Sequence, residues 1–142
     1  MSELETVTRQ RVALITGGNQ GIGMGVARLL HSEGWRVHVT TRQESKRAAL
    51  EETLGAGSVH VGDLTDRGDA ARIVGEVVAA EGQLDAVVHS VGPYQTSVLS
   101  ETAPDVFETM FQGNLMTAVH VVDAAREHLR ASAGAYVFFG CS

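Results

Sequence analysis

The chain has 142 residues, 44% of them apolar and 20% charged, with 16 glycines and 2 prolines. That length fits one domain and that composition can bury a core, which excludes a multidomain assembly and a disordered tail. Eleven basic against 17 acidic residues give a net charge of -6, which repels phosphate backbones and anionic lipid, so neither nucleic acid nor a membrane is an expected partner.

Short β-branched apolar runs alternate with longer segments at helical spacing. In chain order they predict a strand at 12–16 and a helix at 21–33, then a strand at 35–41 and a helix at 44–54. A strand at 59–62 and a helix at 66–81 follow, then a strand at 84–91, a long helix at 104–130 and a strand at 136–140. Five strands and four helices in this alternation imply right-handed crossovers and a parallel sheet covered on both faces, whose strands read as nearly continuous hydrophobics. The expected fold is α/β: a Rossmann-like, doubly wound parallel sheet forming one domain over residues 1–142. Gly34 and Gly82 stand where helices stop, and Glu101 and Asp105 suit the positive start of the long fourth helix. The sequence stops right after the fifth strand, so the fold is expected to be truncated there, with an open edge and a thinly covered face.

The segment Thr16-Gly-Gly-Asn-Gln-Gly-Ile-Gly23 joins the first strand to the first helix. Gly17 permits a tight turn, Gly21 removes a Cβ where backbone must approach a pyrophosphate, and Gly23 lets helix and strand pack closely. The free N–H groups of the helix start then face phosphate oxygens. Val26 excludes the GxGxxG form, and the Lys-Ser/Thr of a nucleotide-triphosphatase loop is missing.

This TGxxxGIG spacing resembles the short-chain dehydrogenase/reductase family, and further stretches match it in order over essentially the whole chain. The resemblance implies a nicotinamide dinucleotide held by Gly17, Asn19, Gln20, Gly21, Ile22 and Gly23. It implies that the Asp63 carboxylate accepts from the adenine amino group while the Leu64 amide caps the ring. His89-Ser-Val-Gly92 falls where the family has Asn-Asn-Ala-Gly, which places Ser90 and Gly92 against the cofactor with only Gly92 retained. Asn114 matches the family's helix Asn, whose carbonyl helps hold a water in a proton relay. Ser142 falls where the family's Ser hydrogen-bonds the substrate carbonyl.

Thr40-Thr41-Arg42 ends the second strand. An acid there would accept from the adenosine ribose of NAD and repel a 2′-phosphate. With the acid absent and a guanidinium present, Thr41 and Arg42 favour NADP(H) over NAD(H), although Gln20 stands where NADP-selective relatives often carry a basic residue.

Carbonyl reduction also needs an acid, which the family supplies with a Tyr-x-x-x-Lys pair in which the Lys charge lowers the Tyr pKa. Tyr94 is followed four positions on by Val98 and Tyr136 by Gly140, and the sole lysine is Lys46. The family pair lies a dozen or so residues beyond the Ser. The resemblance therefore implies an NADP(H)-dependent oxidoreductase whose small carbonyl or alcohol substrate belongs to a longer parent, with this chain an inactive N-terminal fragment. A non-catalytic dinucleotide sensor or interaction module is the alternative. His89-Ser-Val-Gly-Pro-Tyr94 also resembles the strand end of enoyl-thioester reductases, a lesser alternative.

Cys141 is the single cysteine, which excludes an internal disulfide framework and fits a reducing, cytoplasmic compartment. Neither a signal-peptide apolar stretch nor a membrane span of about 18 apolar residues occurs in the sequence. His120 and His128 share a helix face only loosely and read as structural, with no metal site expected. Met110, Phe111, Leu115, Val119 and Val122 recur at helical spacing as core or interface. In the family the long fourth helix packs into a subunit interface, so a homo-oligomer through that helix is expected, a state that sedimentation would register.

Overall fold

A computed structural model describes residues 8–140. β1 (Val12–Thr16), α1 (Gly21–Ser32), β2 (Arg36–Thr41), α2 (Arg47–Leu54), β3 (Val59–Val61), α3 (Arg67–Glu81) and β4 (Ala86–His89) alternate along the chain. The long fourth helix is continuous but not uniform. It consists of α4 (Pro104–Phe111), a π-helical turn at Gln112–Met116 and α5 (Thr117–Ser132), after which β5 (Ala135–Phe138) closes the described chain.

All strand pairings are parallel, in the order β3-β2-β1-β4-β5. The chain begins mid-sheet, winds outward through β2 and β3, then returns to the other side of β1 as β4. Connections leaving β1 and β4 therefore part to opposite faces, opening a crevice at the carboxyl rim between them.

Side-chain alternation on β1 feeds two cores. Val12 and Leu14 pack with Ile73, Val74 and Val77 of α3 and with Val121, Ala125 and Leu129 of α5. Ala13 and Ile15 face the other way, onto Ala27 of α1 and Leu50 and Leu54 of α2, together with Val37 and Val39. Burying each large aliphatic side chain contributes about 1.5–3 kcal/mol, which is why the central strands carry them at every position.

β2 and β3 depart from the expected run of hydrophobics. His38, Thr40 and His60 are buried although polar, and the two histidines lie on the face beneath α3. Strand bounds are also tighter than the apolar runs. Trp35 stays outside β2 with the Arg11 guanidinium 4.5 Å from its ring, and Ser90 and Val91 leave the sheet toward the crevice. Asp85 precedes β4 because its carboxylate accepts from the Val12 amide at 2.8 Å, tying the base of β1 to its neighbour.

Helix ends follow local chemistry. Gly82 ends α3 in the left-handed conformation, with its amide donating to Val78. Pro104 and Asp105 open α4, whereas Glu101 belongs to a separate 3-10 turn at Leu99–Glu101 and plays no part in that helix start. β5 is an edge strand among the described residues, and Val137 and Phe138 are nearly half exposed. Phe111, Leu115, Val119 and Val122 also lie open, so among the described residues they form a surface and not the core.

Candidate cofactor-binding site

The turn after β1 is set by two glycines with different jobs. Gly17 has φ +69°, a conformation that a side chain disfavours, and its amide donates to Thr40 Oγ1 at 3.1 Å. Gly23 is needed for space, since a Cβ there would sit 2.4 Å from the Gly17 carbonyl oxygen and 2.5 Å from Ser90 Oγ. A Cβ on Gly21, by contrast, would meet nothing within 4 Å, because that backbone borders the open crevice.

α1 starts without a cap. Gln20 occupies the N-cap position in an extended conformation, makes no side-chain cap bond, and the first turn holds no acid. α3 is the contrast, because Asp66 accepts from the Asp69 amide at 2.8 Å and closes its own helix start. The first amides of α1 and its positive dipole end are thus left for an anion from outside the chain.

The crevice beyond this turn has a volume of about 1060 Å³, at the upper end of the ~300–1,000 Å³ of small-molecule sites. Gly17, Asn19, Gln20, Gly21, Ile22 and Gly23 line one wall, and Thr41 and Arg42 line the end of β2. Asp63 and Leu64 come from the end of β3, Ser90 and Gly92 from the end of β4, and Asn114 from the π-helical turn. All the sequence-predicted site residues within 8–140 therefore meet in one place. Ser142 and its neighbour Cys141 lie outside the described residues.

Arg42 is exposed and makes no hydrogen bond or ion pair among the described residues. Its charge acts on Asp63, whose carboxyl is held below the ordinary range first by the Thr65 amide and hydroxyl and then by Arg42. Both Thr65 groups donate to Oδ1, at 2.9 and 2.8 Å. The Asp63 amide donates to Asp69 Oδ2 at 2.8 Å, which fixes the segment to α3.

Two features escaped sequence reasoning. The first is the π-helical turn, where Asn114 Nδ2 donates to the carbonyls of Pro93 and Met110, each at 3.0 Å. A Cβ on Gly92 would lie 2.0 Å from Asn114 Oδ1, and one on Gly113 would lie 2.5 Å from Pro93 Cδ. The helix irregularity thus docks against the strand end, and the Gly-Asn pair inside a helical run was its only signal. The second is His89, which joins Thr16 Oγ1 (2.9 Å) to Thr117 Oγ1 (3.2 Å) and so links the glycine turn to α5.

Burial pushes the His89 imidazole down to about 4. An unfolded histidine titrates near 6.5, so between these values the unfolded chain binds more protons and the folded state loses ground as pH falls. Stability is whole above about pH 6.5 and loses about 2 kcal/mol from this ring by pH 5. Urea unfolding at pH 7 and pH 5 should show that loss in the wild type and a loss smaller by about that amount in His89→Asn. Equal losses would remove His89 as the source.

Tyr136 is no proton donor for a ligand. Its hydroxyl donates to the Ala118 carbonyl at 3.4 Å, and burial pushes its pKa well above the ordinary tyrosine value. His120 bonds the Leu64 carbonyl at 3.0 Å, a structural role. Among the described residues, no helix is long and apolar enough to cross a membrane.

An uncapped helix start at the point where an all-parallel sheet reverses its winding is the arrangement of a dinucleotide-binding domain of the doubly wound class. Comparison narrows this class: the family model of the short chain dehydrogenases matches residues 11–142, and the chain belongs to that family. L-fucose dehydrogenase of Rattus norvegicus is 33% identical over 126 residues, covering 87% of this chain and 46% of the relative. The Mus musculus L-fucose dehydrogenase is 33% identical over 135 residues, covering 92% of this chain and 49% of the relative. The chain spans about half the length of the curated relatives it matches. Among solved structures, ElxO with NADP bound superposes with a TM-score of 0.84 at 27% identity, covering 91% of this chain and 54% of that one. A short-chain type dehydrogenase/reductase from Mycobacterium ulcerans gives 0.81 at 31% identity, covering 92% and 50%.

Proposed function

We propose that this chain is the cofactor-binding portion of a cytoplasmic, NADP(H)-dependent short-chain oxidoreductase acting on a small carbonyl or alcohol substrate. The observation that carries this reading is the uncapped start of α1, which shares one crevice with Arg42 at the end of β2, a guanidinium with no hydrogen bond or ion pair among the described residues. The residues present fit the dinucleotide. Amides of Gly21, Ile22 and Gly23 would take the pyrophosphate, Arg42 with Thr41 the 2′-phosphate, and the Asp63 carboxylate the adenine amino group. Gly92, against which the Asn114 side chain packs, lines the same crevice. The NADP bound by ElxO, whose fold superposes on this one, supports the same cofactor.

NADP(H), when bound, supplies or accepts a hydride. The residues of this chain would bind and orient it, with the Leu64 and Ile22 side chains against it and Asn114 on the same crevice lining. Proton transfer is another matter. Neither Tyr94 nor Tyr136 has a lysine four positions on, and the half-buried Tyr136 donates its hydroxyl to the Ala118 carbonyl. General acid–base assistance is worth about 10²–10⁴ in rate, so the 142-residue polypeptide is read as binding without turnover. The same observation favours the second reading, a dinucleotide sensor that performs no chemistry. The open apolar face of Phe111, Leu115, Val119 and Val122 is read as the self-association surface.

Titrating the 142-residue chain with NADPH, followed by nicotinamide fluorescence and by absorbance in the presence of carbonyl compounds, tests this. Saturable binding with no NADPH oxidation is the expected result. Oxidation by this polypeptide would overturn its inactivity, and an absence of binding would overturn the dinucleotide reading.

A further inference from the structure

Beneath α3, away from the glycine turn, two buried histidines stand side by side on the sheet. His38 of β2 is 0% exposed and His60 of β3 is 7% exposed. His38 Nε2 lies 2.8 Å from Glu81 Oε1, His38 Nδ1 lies 2.9 Å from His60 Nε2, and His60 Nδ1 lies 2.8 Å from Glu76 Oε2. All four ring nitrogens meet a polar partner, so neither ring gains by turning over.

Three links in a row need three protons. An ionised carboxylate has none to give and a neutral imidazole carries one, so two neutral rings supply only two. With both outer links made, the lone pairs of His38 Nδ1 and His60 Nε2 would face each other at 2.9 Å. Charge balance points the same way. Arg36 Nε bonds Glu81 at 2.9 Å, and Arg72 bonds both Glu76, at 2.8 Å, and Asp69, at 3.0 Å. Three carboxylates therefore face two guanidiniums, and one negative charge is left for an imidazolium to match.

We propose that folding captures one proton in this chain of four side chains and holds it on His60, which donates from both ring nitrogens, to Glu76 and to a neutral His38. His60 is placed for that charge beside the part-exposed Glu76. Burial lowers the His38 pKa, which suits the neutral role, with Nε2–H donated to Glu81. The charged groups facing the pair are Arg36 from β2 and Asp69, Arg72, Glu76 and Glu81 from α3. On the α2 side, Arg47 reaches the Val59 carbonyl at 2.6 Å and is itself paired with Glu44 and Glu51. The device does not rest on the cofactor reading, but it adjoins that site. Arg72 also bonds the Val61 carbonyl, and Asp69 holds the Asp63 amide.

The linkage has a definite sign. A free imidazole loses its proton above about pH 6.5 while a proton shared across the three links stays in the folded network, so the stabilisation is present in full below that pH and drains away as pH rises. One proton corresponds to about a tenfold fall in the folding constant per pH unit. Side-chain nitrogen NMR of the 142-residue chain from pH 6 to 8 is the direct test. One ring with both nitrogens protonated at pH 7.5, coupled to a neutral neighbour, is the expected result. Denaturant unfolding should show the ratio of wild-type to His60→Gln folding constants falling about fivefold from pH 6.5 to 7.5. Two rings each carrying a single proton at pH 7, or a flat ratio, would overturn the proposal. If His60→Gln does not fold, the wild-type spectra decide alone.

Discussion

Gly23→Ala is expected to abolish measurable NADPH binding and to lower the unfolding free energy by about 1–3 kcal/mol, the usual cost of forcing an extra methyl into a packed site. The new Cβ would lie 2.4 Å from the Gly17 carbonyl oxygen, a backbone atom that cannot swing aside. Ser90 Oγ, at 2.5 Å, is equally committed because it donates to the Thr16 carbonyl at 2.6 Å. The turn is pinned from both sides, by the Gly17 amide on Thr40 Oγ1 and the Ser90 amide on Thr16 Oγ1. Relief must therefore come from α1 sliding away, which carries the anion-facing amides with it. Gly25→Ala is the control, since a Cβ there would meet nothing within 4 Å. Half a turn further along the helix, that change should leave binding intact and stabilise by up to about 1 kcal/mol through helix propensity. Fluorescence titration and urea unfolding of both variants read the contrast. Equal affinity for Gly23→Ala and wild type would mean that the start of α1 is not where the anion sits.

How much of this was legible beforehand depends on whether the physics is local. The run VALIT in β1 and the spacing of Val74, Val77 and Val78 in α3 declare their elements, because burial on both faces demands apolar side chains at successive strand positions and burial of one helix face demands them at helical spacing. The glycine turn was legible for a local reason too, since Gly17 and Gly23 answer steric demands that no other residue meets. Asp63 and Arg42 converged because strand ends in a parallel sheet share one rim. The π-helical turn was not legible: helical periodicity continues through it, and what it accommodates is the approach of Pro93, distant in sequence. The buried pairing of His38 with His60 was hidden likewise. Each histidine alone resembles any half-buried ring, and only the alignment of Thr40 with His60 in the β2–β3 register brings His38 and His60 into reach. Phe111, Leu115, Val119 and Val122 have helical spacing that fits core and interface equally, and periodicity cannot say which neighbour covers a stripe.

Arg42→Glu is expected to weaken NADPH binding by about 10–100-fold while leaving NADH within a few-fold of its starting affinity. Hydrogen bonds to a charged group are worth about 1.5–3 kcal/mol, and the 2′-phosphate is the one feature separating the two ligands. Arg42 has no competing partner among the described residues, so its guanidinium is not already committed to another group. Charge reversal both removes the donor and sets a carboxylate against the phosphate, whereas Arg42→Gln removes only the charge and should lose less. The order wild type, Gln, Glu for NADPH affinity is thus itself informative. Asp63 complicates the series little, because Thr65 contributes more than Arg42 to keeping its carboxyl ionised. Salt provides an independent check: if the contact is electrostatic, raising ionic strength should weaken NADPH binding to the wild type more than to Arg42→Gln. Parallel losses for NADPH and NADH would show Arg42 acting on the fold or on the shared pyrophosphate, and the preference for the phosphorylated cofactor would then need another residue, with Gln20 and Gln43, which line the same crevice, as the next to test.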